Sequence, residues 1–169
     1  MVYKIRIILD ADQDVFRDIE IEGENTLEEL HNAITQAFGF DGSEMASFYL
    51  ADEEWNQGEE ISLFDMSENG SDIRLMNETS IDDVLGEENT NLIYVYDFLS
   101  MWTFFVELAE ITEKDPGFSY PHLLFAYGIL PDAPPEKNFE AYPDASEQNL
   151  MNDEDIDGYE DLDFDENWN

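Results

Sequence analysis

The sequence predicts an α+β protein, a mixed sheet packed on one main helix, and three observations carry that expectation. Residues 2–9 alternate, with Tyr3, Ile5, Ile7 and Leu9 on one side of an extended chain. Leu27, Leu30, Ile34, Ala37 and Phe38 recur at helical spacing between Thr26 and Gly39. Residues 92–98 and 101–111 read as two strands pivoting near Leu99-Ser100.

Taken in order, the first strand is followed by a polar turn, Asp10-Ala11-Asp12-Gln13-Asp14, and by a second alternating run at Val15, Ile19 and Ile21. The two form a hairpin with a longer turn than the two-residue minimum. Gly23 and Asn25 end it. Thr26 is then a natural N-cap, Glu28 and Glu29 stand in the first turn where the helix dipole favours acids, and Gly39 is placed to end the helix. Ser47-Phe48-Tyr49-Leu50 reads as a third strand. Residues 52–78 form a long polar, acidic excursion that carries one short strand at its apolar island, Ile61-Ser62-Leu63-Phe64, and residues 79–86 look like a single helical turn. Hairpin, helix, strand, excursion, short turn and returning strand is the element order of a ubiquitin-like (β-grasp-like) sheet, with an extra C-terminal hairpin. A helix after a hairpin must cover the sheet's apolar face to bury its own stripe.

The expected organisation is a domain over 1–113, an irregular Pro-rich segment packing on it over 114–151, and an acidic, disordered tail over 152–169. Six prolines punctuate the chain beyond Lys114 and disfavour long helices and central strands there. The tail holds nine acids and no base, with Ile156, Tyr159, Leu162, Phe164 and Trp168 interleaved. Such a segment buries too little apolar surface to offset its ordering entropy.

Charge excludes more than it assigns. Six Lys and Arg stand against 43 Asp and Glu, a formal net charge of −37 in 169 residues. Phosphate backbones and anionic lipid both require clustered Lys or Arg, so direct nucleic-acid and membrane binding are not expected. Without cysteine there is no disulfide, thiolate zinc site or thiol nucleophile. The first ten residues lack an apolar signal core, and no apolar stretch approaches the roughly 20 residues of a membrane span, so a cytoplasmic protein is expected. Removing residues 152–169 takes nine of the 43 acids, which leaves 34 acids against six bases, or −28, on residues 1–151.

Three motifs resemble the plasmid pRiA4b ORF-3-like family, which is associated with mobile elements. They are the aromatic-Arg strand Val15-Phe16-Arg17-Asp18-Ile19-Glu20-Ile21, the helix Thr26-Leu27-Glu28-Glu29-Leu30-His31 continued to Phe38-Gly39-Phe40-Asp41, and Tyr94-Val95-Tyr96-Asp97-Phe98 followed by Trp102. The resemblance covers about residues 2–111 well. Leu99-Ser100 replaces the family's usual Gly-Asp, and its C-terminal cysteines and Gly-Gly motif are missing. The resemblance implies a fold and no activity.

No catalytic constellation and no cofactor motif stands out. His31 lies one residue past the helix's apolar stripe, where a core-rim histidine is the simpler reading than a general base. Asp97, with Trp102 nearby, either anchors a turn or marks a ligand edge. Asp153, Asp155 and Asp157, with Gly158, open like a calcium loop, but Phe164 stands where the bidentate Glu belongs. Asp10, Asp12 and Asp14 invite the same idea and read better as a polar turn. Tyr159, Phe164 and Trp168 are candidate anchors of a tail that docks on a partner. The leading expectation is a non-enzymatic interaction module for a protein partner, basic or apolar-grooved. Its competitors are mimicry of DNA by an acidic body, weak Ca²⁺ binding, and charge that serves only solubility or salt adaptation.

Overall fold

The computed structural model describes residues 1–65 and 73–134, which form one eight-stranded sheet and two α-helices. The strands are β1 (Val2–Leu9), β2 (Phe16–Glu22), β3 (Ala46–Ala51), β4 (Gln57–Ser62), β5 (Arg74–Leu75), β6 (Asn91–Tyr96), β7 (Trp102–Thr112) and β8 (His122–Tyr127). The main helix is α1 (Leu27–Phe38), and α2 (Ile81–Val84) is one turn. The sheet order is β5-β4-β3-β6-β7-β1-β2-β8, antiparallel throughout except for the short β4–β5 pair.

Local chemistry accounts for α1. Thr26 Oγ1 accepts from the Glu29 amide at 3.2 Å, while Glu29 Oε1 accepts from the Thr26 amide at 2.9 Å. This capping box satisfies two of the amides that a helix start leaves unpaired. Gly39 ends the helix at φ 84°, where its amide reaches back to Gln36 and Thr35. Leu27, Leu30, Ile34 and Phe38 are buried in one cluster with Ile5, Ile7, Ile19, Ile21, Phe48, Tyr94 and Phe104. That cluster is the core, and it lies on the α1 face of the sheet.

On the opposite face, strand pairing sets Tyr49, Ile93, Phe105, Ile8, Phe16 and Tyr127 side by side across six strands. Residues directly opposite on one face interact, so this row ties the sheet together from β3 to β8. Trp55 covers Phe105 with ring centres 4.9 Å apart, and the Arg6 guanidinium lies 4.1 Å over Phe16. Beside the row, Arg6 grips Asp18 through two hydrogen bonds of 2.8 and 2.9 Å.

One expectation is refined and one changes. The short strand expected within the polar excursion over 52–78 is β4, which begins four residues before the apolar island; its first four residues are exposed and its partner is β3. Its exposed side chains leave no alternation to read. Residues 114–134 are not irregular throughout, because β8 adds to the sheet beyond β2. Pro121 precedes β8, and an edge strand tolerates a proline there because it donates no hydrogen bond to a neighbour. The remaining part of the 114–151 segment and the acidic tail lie outside the described residues.

Candidate groove between the main helix and the edge strand

The strand register decides which side chains meet at this edge. Leu123 pairs with Ile19, a core residue, and so stands on the α1 face. His122, Phe125 and Tyr127 pair with Glu20, Asp18 and Phe16 on the opposite face. Ala33 and Ala37, one helical turn apart, present only methyl groups toward β2 and β8. The result is a groove of ≈ 410 Å³ with Ile19, Ala33, Ala37, Pro121 and Leu123 as its apolar lining. Glu29, Asn32 and Gln36 line its α1 rim, and His122 lines it from β8. Its polar side chains are two amides and one carboxylate already engaged in the capping box.

Arg17 ties the elements that bound the groove. Its Nε donates to the Ala37 carbonyl at 3.2 Å, and its Nη1 donates to the carbonyls of Phe16 at 2.8 Å and Tyr127 at 3.0 Å. The guanidinium also stacks 4.8 Å from the Phe38 ring centre. Burial lowers its pKa, yet a guanidinium stays charged. One cation therefore links β2, β8 and the carbonyl end of α1, where a positive charge is favoured. At the end of β8, Gly128 has φ 82°, and a Cβ there would lie 2.4 Å from the Asp14 carbonyl oxygen. Only glycine fits that approach.

The surface around β8 is unlike the rest of the chain. Residues 116–131 contain no Asp, Glu, Lys or Arg, although 29% of the chain is charged. Phe118, Leu123, Leu124, Phe125 and Tyr127 are about half exposed, and Ile129 is 87% exposed. Phe118 stacks on His122 at 5.3 Å, and His122 Nε2 donates to Glu20 Oε1 at 2.8 Å. A second cavity, between Leu50 and the loop after α2, is lined by Asp82, Asp83, Glu87 and Glu88 against the single cation Arg74.

The residues singled out from the sequence fall elsewhere. His31 is 2% exposed, and its Nδ1 lies 2.7 Å from Tyr94 Oη, one group donating and the other accepting according to the imidazole tautomer. Burial pushes the imidazole down to about 4, so it is neutral at physiological pH. Burial also holds the Tyr94 phenol well above its ordinary value. Asp97 anchors the β6–β7 turn. It adopts φ 63°, and its Oδ1 accepts from the amides of Leu99 at 3.1 Å and Ser100 at 3.4 Å. Trp102 is buried against Phe40, ring centres 5.2 Å apart. His31 and Trp102 thus belong to the packed interior. Asp153, Asp155, Asp157, Tyr159, Phe164 and Trp168 lie outside the described residues. Among the described residues no three metal-ligating side chains converge, the Asp10–Asp14 turn included. No described helix is long and apolar enough to cross a membrane.

Leu123, Phe125, Tyr127 and the groove-closing role of Arg17 were not found from the sequence. The available signal was the absence of charge over sixteen residues in a chain this acidic.

No curated protein matches the chain. Among solved structures, a protein of unknown function from Methanosarcina mazei Go1 has a similar fold. The TM-score is 0.65 at 21% identity, covering 74% of this chain and 68% of the other. A family model described as "Plasmid pRiA4b ORF-3-like protein" matches residues 1–167, well beyond the span of about 2–111 over which the motifs are plain. The chain therefore belongs to the plasmid pRiA4b ORF-3-like family.

Proposed function

We propose that the protein is a non-catalytic interaction module of the cell interior, associated with mobile elements, that receives an apolar segment of a basic partner protein in the α1–β8 groove. The hairpin and helix that frame the groove are read as a ubiquitin-like unit. One observation carries the reading: an apolar groove opens at the charge-free stretch of a chain with net charge −37. Interface cores are depleted of charge and enriched in aromatics, while an acidic surround steers a basic partner toward them. The absence of a catalytic role is supported by His31, whose ring is enclosed beside a phenol with no nucleophile in hydrogen-bond reach among its described partners.

Capture from cell lysate at low salt tests the reading, with wild type compared against Ala33→Leu, which fills the groove without changing charge. A basic protein retained by wild type and lost by the variant is the expected result. No protein above background, or equal retention by both, refutes it. If the captured protein instead binds DNA and is released by DNA whether or not the groove is filled, the acidic body is acting as a DNA mimic.

A further inference from the structure

We infer that β8 is also a self-association edge, pairing antiparallel with β8 of a second copy. This goes beyond the groove and its partner: it shares the charge-free stretch with that reading and adds the unpaired edge of the sheet. In the sheet order β8 is terminal, with β2 on one side and no further strand among the described residues. An edge strand offers unpaired amides and carbonyls to another chain unless something blunts it. The usual devices are charged side chains, especially lysine, and β8 (His122–Tyr127) has none. Its one irregularity is a bulge at Leu124, which interrupts the pairing with β2 between Asp18 and Ile19.

Charge selects the occupant. A basic partner is drawn by the acidic surround and does not need the whole contact zone to be free of carboxylates, whereas a second copy of this chain does. Two copies that each carry −37 can approach only where carboxylates do not meet carboxylates. Residues 116–131 are such a place, bounded by Asp115 and Asp132. The half-exposed side chains of Phe118, Leu123, Leu124, Phe125 and Tyr127, with Ile129, offer roughly 600 Å² of apolar surface, most of the roughly 800 Å² per partner in a standard interface. They stand on both faces of the sheet edge, as an added strand requires.

The pairing has a geometric consequence. Antiparallel neighbours related by a two-fold axis keep their faces, because the axis is perpendicular to the sheet. Both α1 helices would then stand on the same side. The two grooves, each with Leu123 in its lining, would join into one trough between the helices.

Sedimentation of the full chain across salt concentrations tests the inference. Because the copies repel, the dimer dissociation constant should fall on the order of tenfold between about 0.05 M and about 0.5 M salt, as screening shortens. Binding of a basic partner would weaken over the same range. Phe125→Glu and Leu124→Lys should each leave a monomer that melts cooperatively, at a temperature that no longer depends on protein concentration. Should either variant fail to fold, amide exchange in wild type replaces it: residues 122–127 should exchange more slowly as protein concentration rises. A monomer at every salt concentration overturns the inference. So does a dimer that survives both variants, or one whose formation leaves the β8 amides unprotected.

Discussion

Two six-residue strands of similar composition have opposite fates in this sheet. β6 reads Asn-Leu-Ile-Tyr-Val-Tyr and is buried along its whole length between β3 and β7. β8 reads His-Leu-Leu-Phe-Ala-Tyr and is exposed from Leu123 to Tyr127. Neither strand alternates, so neither declares its faces. What separates them is position: β6 has a strand on each side and α1 over one face, while β8 has β2 alone among the described residues. Apolar sequence in the middle of a sheet supplies stability. The same kind of sequence at the edge supplies contact surface, provided nothing charged guards it.

A matched pair of leucines gives the sharpest break in that comparison. Leu92→Ala in β6, where the side chain is fully buried, should cost about 3–4 kcal/mol in urea unfolding. Leu124→Ala in β8, at 44% exposure, should cost less than about 1 kcal/mol. Equal costs at low salt and low protein concentration, where self-association is weakest, would mean that β8 is covered within a single chain.

The buried His31–Tyr94 pair beside β6 makes the centre of the sheet sensitive to acid. His31 is lowered from 6.5 to about 4, so the unfolded chain takes up the proton first as pH falls. The stability that neutral His31 preserves is complete above 6.5 and is lost progressively as the pH drops toward 4. The loss should be on the order of 3 kcal/mol, at about 1.4 kcal/mol per pH unit. Carboxylate protonation alters stability over the same range and relieves repulsion, so the comparison must be made against His31→Gln. The variant should show a shallower decline between neutral pH and pH 4.5, and parallel curves would remove His31 as the cause.

Arg17 connects the edge to the interior. Arg17→Met keeps much of the stem and removes the donors to Ala37, Phe16 and Tyr127. It should cost about 2 kcal/mol and speed amide exchange in β8 more than in β6. A uniform acceleration would show that the arginine supports the whole fold and not this edge in particular. The smallest expected effect is Thr26→Ala, about 1 kcal/mol from the lost cap, equally distant in consequence from both strands.

Helix α1 was legible because its cap, its stripe and its terminal glycine agree, each by a local rule. The alternation of β1 and the β6–β7 hairpin were legible for the same reason, and Asp97 was already a candidate turn anchor. The start of β4 was obscured because its first four residues are polar and exposed and give no periodic signal, while the apolar island at its end was legible as a short strand. β8 was obscured for the opposite reason. Every residue from Leu123 to Tyr127 is apolar, and the surrounding prolines argued for irregular chain. His31 already read as a core-rim histidine, and packing adds Tyr94 as its partner; Trp102 was a candidate for its nearness to Asp97, and only packing shows that it is buried against Phe40.

The sequence by itself determined the elements whose rules are local: the α+β class, the helix and its caps, the central strands, the family, and a net charge that disfavours phosphate and lipid surfaces. The tertiary structure alone decided that β8 ends the sheet among the described residues, that Ala33 and Ala37 face Leu123 across a groove, and that one arginine ties its flanking elements together. Those are contacts between residues up to 110 positions apart, as between Arg17 and Tyr127. A hydrophobic side chain is equally favourable to bury wherever it falls in the chain, so composition marks what is apolar. Which apolar residues stay in water depends on where the sheet runs out of strands.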